Sequence, residues 1–378
     1  MDFSLTAEQQ AIFDLAASFA AERVAPHAAA WEHEGTIPRD MLEEIGALGF
    51  GGIYVSEEFG GSGLSRQDAV LIFEALSHAC PSVAAFVSIH NMCAWMIDTF
   101  GSDAMRSAWL PELCAFRKVA SYCLTEPGSG SDAAALRTTA RLIDDHYVLD
   151  GTKAFISGGN YSDLYIVMCR TGGEGPKGIS TLVVPSGSKG MSFGAFERKM
   201  GWRAQPTAQV HFDACQVPPE NRLGEIGAGF RYAMKALDGG RLNIAACALG
   251  GAQFALDKAI AHMRERRAFG AALSSFQALQ FKVADMETEL QAARTLLYQA
   301  AWKLDGNSPD ASKFCAMAKR FVTDTSFDVA NAALQLHGGY GYLEDYGIEK
   351  IVRDLRVHQI LEGTNEIMRL IIARHIFD

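Results

Sequence analysis

The run Cys123-Leu-Thr-Glu-Pro-Gly-Ser-Gly-Ser-Asp-Ala133 decides how this chain is to be read. Inside it, Gly128-Ser-Gly130-Ser-Asp-Ala133 satisfies the relaxed dinucleotide fingerprint G-x-G-x-x-A, and the apolar run Val119 to Leu124 just before it has the composition of a strand. A dinucleotide-binding sheet needs more than this. A long helix must follow at once, and a parallel strand must come within about 30 residues. Here a helical pattern can occupy only Asp132 to Arg137, because β-type alternation begins at Thr139. The fingerprint is embedded in something other than a doubly wound sheet. A Gly/Ser-rich loop still offers backbone N–H groups to a phosphate or to the edge of a ring cofactor.

Working outward from that loop, residues Thr139 to Pro218 carry short alternating or β-branched runs separated by Gly/Asp/Pro turns. Tyr165-Ile-Val-Met-Cys169, Ile179-Ser-Thr-Leu-Val-Val184 and Ala208-Gln-Val-His-Phe212 are the clearest. They predict a β module. Upstream, Thr6-Ala-Glu-Gln9 has capping-box spacing and opens a helix with Ile12, Leu15, Phe19 and Val24 at helical intervals. Helical patterns follow over Pro38 to Leu48, Arg66 to Ala79 and Pro81 to Phe100, with Gly60-Gly-Ser-Gly63 as a loop. After Pro219 only Pro309 remains, and helical patterns run from about Phe230 to Arg264, Ser275 to Lys303, Pro309 to Leu336 and Thr364 to Ile376. The expected order is a helical domain at 1–118, a β domain at 119–228 and a helical bundle at 229–378.

Composition agrees with a chain of this kind. Its 378 residues give room for two or three domains, at about 150 residues each. With 49% hydrophobic and 21% charged residues it can bury full cores, which excludes a disordered scaffold or a collagenous chain. The net charge of −10 argues against non-specific nucleic-acid binding, which needs a cationic surface. No uninterrupted apolar run approaches the roughly 18 to 20 residues of a membrane span, and Leu242 to Leu256 reads as a core helix. The eight cysteines form no CxxC pair and no Cys/His cluster, so neither a metal site nor a disulfide framework is expected. The N-terminus lacks the pattern of a secretory or transit peptide. The expected compartment is the cytoplasm, or an organelle such as the mitochondrial matrix after removal of a presequence.

Candidate chemistry is sparse. There is no HExxH, no G-x-S-x-G elbow and no P-loop. His337, before Gly338-Gly-Tyr-Gly341, reads as a helix-end histidine against a tight turn or as a catalytic group. Arg264-Glu-Arg-Arg267 ends a helix before Ala268-Phe-Gly270, where it is either a solvated terminus or a phosphate clamp. Glu362, in Ile360-Leu-Glu-Gly-Thr-Asn365, stands at an apolar break ahead of the closing helix, for which Thr364 or Asn365 can serve as N-cap. It reads either as an exposed turn glutamate or as a desolvated base whose pKa is raised.

Taken together, these segments resemble the acyl-CoA dehydrogenase family over essentially the whole chain. Cys123 to Asp132 fits the family's flavin-site signature, and Arg266-Arg-Ala-Phe-Gly270, Gln335-Leu-His-Gly-Gly339 and Glu362-Gly-Thr364 follow in the family's order. The resemblance implies an α-helical N-terminal domain, a central β-barrel and a C-terminal four-helix bundle. It implies FAD as cofactor and an acyl-CoA thioester as substrate. Glu362 then looks like the base that takes the α-proton while the β-hydride goes to flavin N5. The enolate would be supported by the base's own backbone N–H and a ribityl hydroxyl.

By the same resemblance, FAD contacts fall at Tyr122, Leu124, Thr125, Ser131, Phe155, Ser157, Thr364 and Glu366. Arg266, Phe269, Gln277, Gln335, Gly338 and Gly339 would reach the FAD of a neighbouring subunit, which implies a homo-oligomer, most often a tetramer built as two dimers. CoA-substrate positions are Ser131, Asp238, Arg241, Gly363 and Arg374, and the implied electron acceptor is an electron-transferring flavoprotein. Four positions depart from common family patterns: Phe155 for Trp, Ser157 for Thr, Leu361 for the Tyr before the base, and Gly240 where some members place their base. Gly201-Trp-Arg-Ala-Gln-Pro-Thr207 and His358-Gln-Ile-Leu-Glu-Gly363 resemble the isobutyryl-CoA dehydrogenase branch, which makes methacrylyl-CoA in valine breakdown. A straight short-chain or 2-methylbutyryl substrate is the alternative. Outside these stand an acyl-CoA oxidase and a non-catalytic acyl-CoA- or DNA-binding flavoprotein.

Overall fold

Local signals start the helices where the sequence places them. The structure, a computed structural model, describes residues 4–377. Thr6 accepts the Gln9 N–H and the Gln9 side chain returns to the Thr6 N–H, which opens α1 (Ala7–Phe19) with a complete capping box. α2 (Ala28–Glu34) and α3 (Arg39–Ala47) follow. Ser65 and Asp68 form a second capping box at α4 (Arg66–Ala79), and Pro81 occupies the first turn of α5 (Pro81–Phe100). α6 (Asp103–Cys114) has no counterpart in the sequence reading. Pro111 interrupts its pattern, and only Met105, Leu110, Leu113 and Cys114 are buried.

The middle of the chain is a β domain. Its strands are β1 (Ala120–Cys123), β2 (Thr139–Ile143), β3 (His146–Ser157), β4 (Leu164–Arg170), β5 (Ile179–Pro185), β6 (Met191–Phe193), β7 (Thr207–Val217) and β8 (Arg222–Leu223). Between the Gly/Ser loop and β2 there is a single turn of 3-10 helix, Ala133–Ala135, so the long helix of a dinucleotide fold is absent at that point. The sheet order is β6-β7-β3-β2-β4-β5-β8, with β1 added parallel to β4. Among the described residues no pairing joins β6 to β8, so the strand ladder does not show the closed barrel expected from the resemblance.

Both faces of β4 are covered, as its unbroken apolar run demands. Leu164, Ile166 and Met168 pack with Ile97 of α5 and Leu113 of α6, while Tyr165, Val167 and Cys169 pack with Leu182, Val210 and Val217 on the other side. β3 is irregular where it pairs with β7. Its register shifts between Lys153 and Ile156, and Phe155 there takes φ 59° with its ring exposed.

α7 (Gly229–Glu265) is the spine of the molecule. The small strands β9 (Arg267–Ala268) and β10 (Ala271–Ala272) turn the chain into α8 (Gln277–Asp305) and α9 (Ala311–His337). Two short helices, α10 (Ile348–Arg356) and α11 (Asn365–Phe377), pack on α9, so the expected four-helix bundle consists of three long helices and two short ones. One apolar cluster runs from Ala16 and Trp31 through Phe73, Leu249 and Leu290 to Val329 and Leu355, so the two helical domains share a core. α5 and α7 are long and apolar enough to cross a membrane, but 72% and 67% of their most apolar windows are buried inside the protein. All eight cysteines are buried and free.

Candidate active site

The site is built on a turn that the chain does not adopt cheaply. After α10, Ile360 and Leu361 both donate to the Val357 carbonyl, and the helix stops. Glu362 and Gly363 then take left-handed conformations in succession, φ 56° and 87°. A side chain in that region costs about 1–3 kcal/mol, so the surroundings must hold it there. The turn ends where Thr364 Oγ1 accepts the Ile367 N–H at 3.3 Å and caps α11.

Two cations grip this turn. Arg241 Nε of α7 donates to the Glu362 carbonyl at 3.3 Å, and Lys319 Nζ of α9 donates to the Gly363 carbonyl at 2.9 Å. Each is fixed in its own place. Arg241 pairs with Asp238 at 2.6 Å, and Asp238 accepts the Ser312 hydroxyl. Lys319 also donates to Asn365 Oδ1 at 2.8 Å, and the Asn365 amide donates to Asp324 at 2.7 Å.

The Glu362 carboxylate lies between helices. A Cβ at Gly240 would fall 2.6 Å from its Oε2 and 3.1 Å from Met92 Sδ, so the glycine is what makes room for the acid. Oε2 is buried and has no hydrogen-bond partner among the described residues. The Glu362 backbone N–H likewise finds no acceptor among them. Burial pushes the Glu362 pKa up to about 7, against the pull of Arg241 and Lys319. Burial pushes Lys319 down to about 7, opposed chiefly by the charge of Glu362. The exposed-turn reading of this glutamate is set aside by these contacts.

The Gly/Ser loop is held by a buried ion pair. Lys153 Nζ of β3 meets Glu126 Oε1 at 2.8 Å and the Leu124 carbonyl at 3.0 Å. Glu126 also accepts the N–H groups of Arg137 and Thr138. Although burial raises it, Lys153 and these N–H groups hold the Glu126 carboxyl below its usual range. The Ala154 N–H donates to the Thr125 carbonyl and Ser121 Oγ to the Ser157 carbonyl, so the two segments expected at the cofactor lie side by side. Beside them the Phe155 ring is exposed, Ser131 stands on the loop surface, and nothing lies within 4 Å of where a Cβ at Gly128 or Gly130 would be. An aromatic face beside an open glycine cradle fits a flavin and its phosphates. Burial, and after it the charge of Glu362, raise the Tyr122 phenol.

The remaining expected residues sit elsewhere. Arg266, Gln335, Gly338 and Gly339 line one cavity of about 490 Å³ with His262, Lys282 and Tyr340. Phe269, 99% exposed, and the exposed Gln277 lie on the same flank of the bundle. No hydrogen bond, ion pair or ring contact among the described residues links this group to the Glu362 turn or the Gly/Ser loop. His337 is structural here: it bonds the Ala333 carbonyl at 2.8 Å and stacks on His262. Glu366 and Arg374 are exposed on α11, whereas Arg241, expected among CoA contacts, is turned inward. Lys319 and Lys153 escaped the sequence reading. Lys319 had a signal, since Cys315, Ala318 and Val322 around it are helix-core positions where a lysine needs a partner. Among the described residues no cluster suited to a metal ion is present.

Helical N- and C-terminal domains around a middle β domain, with a buried acid on the turn before α11 packed against α7 and a Gly/Ser loop on the β domain, define the acyl-CoA dehydrogenase fold. Residues 6–117, 121–215 and 227–377 match the family's N-terminal, middle and C-terminal domain models. The chain belongs to the acyl-CoA dehydrogenase family and is an FAD-dependent oxidoreductase.

Among its relatives, the mitochondrial isobutyryl-CoA dehydrogenase of Bos taurus is 52% identical over 372 residues, covering 98% of this chain and 89% of that protein. The structure of butyryl-CoA dehydrogenase from Megasphaera elsdenii superposes with TM-score 0.97 at 38% identity, covering all of both chains. A chain from work on the electron transferring flavoprotein of Acidaminococcus fermentans and flavin-based electron bifurcation superposes with TM-score 0.97 at 41% identity, again over all of both chains.

Proposed function

We propose that this chain oxidises isobutyryl-CoA to methacrylyl-CoA, the step that belongs to valine breakdown, with Glu362 as the base. The observation that carries the proposal is the Glu362 carboxylate: buried, unpartnered at Oε2 and lodged against Gly240. Desolvation makes such a carboxylate a strong base once it is ionised. It takes the proton from the carbon next to the thioester, and the free Glu362 N–H is placed on the same turn to receive the enolate oxygen. FAD held along Tyr122, Leu124, Thr125, Ser131, Phe155 and Ser157, with Thr364 and Glu366, supplies the hydride acceptor. Asp238, Arg241, Gly363, Ser131 and Arg374 bind or frame the CoA ester. For Arg241 this works from inside, by fixing the base's carbonyl.

The 52% identity to the Bos taurus isobutyryl-CoA dehydrogenase supports the substrate, and Leu361 beside the base supports a pocket shaped for a branched chain. That relative is mitochondrial, which supports a matrix location for this activity; eight free thiols fit the matrix and the cytoplasm alike. The exposed group at Arg266, Phe269, Gln277, Gln335, Gly338 and Gly339 is assigned to the FAD of a neighbouring copy. This makes the protein a homo-oligomer, a dimer of dimers in this reading. The Acidaminococcus fermentans neighbour supports an electron-transferring flavoprotein as acceptor. The divisions at 118/119 and 228/229, and closure of the β domain into a barrel, belong to the same proposal.

Anaerobic titration of the flavin with isobutyryl-, butyryl-, 2-methylbutyryl- and isovaleryl-CoA tests the reading. Isobutyryl-CoA is expected to bleach it fastest. Much faster bleaching by butyryl-CoA would overturn the branched-chain assignment.

A further inference from the structure

Leu361, next to the base, packs on a small apolar cluster of its own: Ala85, Trp202 and Ile244 are buried in it, with Ile89 and Val357 against them. Helix spacing shows where this cluster lies. On α7, Ile244 is one turn beyond Gly240, where the Glu362 carboxylate rests. On α5, Ile89 and Ala85 are about one and two turns from Met92, which meets the same glycine. Both helices lead from the carboxylate to the Trp202 indole. Ile89 and Leu361 are only half-buried although the residues around Ile89 on α5 are buried, so the cluster keeps an open side near the acid.

Trp202 is fixed by two hydrogen bonds, and the partner of its ring is itself anchored. Its backbone N–H donates to Asp354 of α10, its Nε1–H donates to His358 Nε2 at 3.1 Å, and His358 Nδ1 donates to the Ile244 carbonyl at 3.2 Å. Burial pushes His358 down to about 4, so the ring is neutral and its tautomer is set by these two partners. The preceding Gly201 approaches α10 so closely that a Cβ there would fall 2.3 Å from the Arg353 carbonyl. A side chain anchored in this way does not swing aside for a longer ligand.

We infer that Trp202, anchored by His358, is the floor of the acyl cavity and the residue that limits this enzyme to short branched acyl groups. The inference rests on the isobutyryl-CoA reading and deepens it. An indole at that depth leaves room for an α-methyl group beside Leu361 and none for a chain continuing along α5. A leucine in place of a larger residue at 361 widens the cavity near the α-carbon, while Trp202 keeps it shallow.

The test compares FAD-loaded wild type with Trp202→Ile, using kcat/KM for isobutyryl-CoA and hexanoyl-CoA. The hexanoyl-to-isobutyryl ratio is expected to rise by about tenfold or more, as one methylene in an apolar pocket is worth about 10- to 200-fold. Most of that gain should come from a lower KM for hexanoyl-CoA. If Trp202→Ile fails to hold FAD, Trp202→Phe carries the test, because it keeps a ring and loses the bond to His358; a smaller rise in the same direction is expected. An FAD-replete variant with the wild-type ratio would overturn the inference. Wild-type enzyme that prefers butyryl-CoA would instead overturn the substrate reading, while the change in ratio would still report on Trp202.

Discussion

The Glu362 turn and the cavity at the end of α9 lie in the same helical domain and are built in opposite ways. At the turn, two buried cations hold backbone carbonyls, and a glycine makes space for the carboxylate. At the cavity, Gln335, Gly338, Gly339 and Arg266 face outward beside a fully exposed phenylalanine. The first region is held together by groups of one chain. The second is a surface prepared for something the chain does not supply, in our reading the cofactor of a second copy. The contrast separates residues that are satisfied by their own chain from residues that stand open at its surface.

The comparison breaks first at Gly240. Gly240→Val puts branched carbon where Oε2 rests, and a displacement of about 1 Å at a reacting group can cost about 100-fold. A loss of that size in the rate of flavin reduction, with FAD content unchanged, is the expected stopped-flow result. Unchanged rates would show that the carboxylate is not confined as described.

Lys319→Met is expected to act next. It leaves the Gly363 carbonyl and Asn365 Oδ1 short of a donor, at about 1–3 kcal/mol in an unfolding measurement. It also removes a positive charge facing Glu362, leaving Arg241 as the cation beside it. In the proposed reaction the base must be ionised, so activity is expected to fall as pH drops through about 7 in the wild type, and the variant's midpoint should lie higher. A midpoint that stays put would assign Lys319 to packing alone.

Stability should follow the opposite sign. The folded-state pKa of Glu362 is raised above its ordinary value of 4.5, so its contribution is fully present below that pH and is lost as pH rises through about 7. Glu362→Gln is therefore expected to raise Tm at pH 8 relative to wild type and to change it little at pH 4.

The smallest effect belongs to the open face. Arg266→Ala removes an exposed cation lying 5.3 Å from the Tyr340 ring centre, a contact worth about 0.5–1 kcal/mol. It should leave the pH midpoint untouched and make FAD retention fall on dilution. Retention independent of protein concentration, measured with sedimentation on the same samples, would remove the neighbouring copy from the account.

Much of this was legible in the sequence, for reasons that differ by residue. The Gly/Ser loop was separable from a dinucleotide fold because the length available before Thr139 is a local fact. The capping boxes at Thr6 and Ser65 and the alternation in β4 are local in the same sense. α6 and α10 were missed because their stability comes from neighbours: α10 is rich in charge, and its Asp354 and Lys350 are buried against one another. The inward turn of Arg241 depends on Asp238, three residues away, and on Glu362, 121 residues away. No periodicity encodes the second of these.

The most direct measurement is anaerobic mixing of FAD-loaded Glu362→Gln with isobutyryl-CoA while flavin absorbance is followed. The variant is expected to bind the CoA ester but to bleach its flavin about 100- to 10,000-fold more slowly than wild type. Bleaching at the wild-type rate would contradict the assignment of Glu362 as the base.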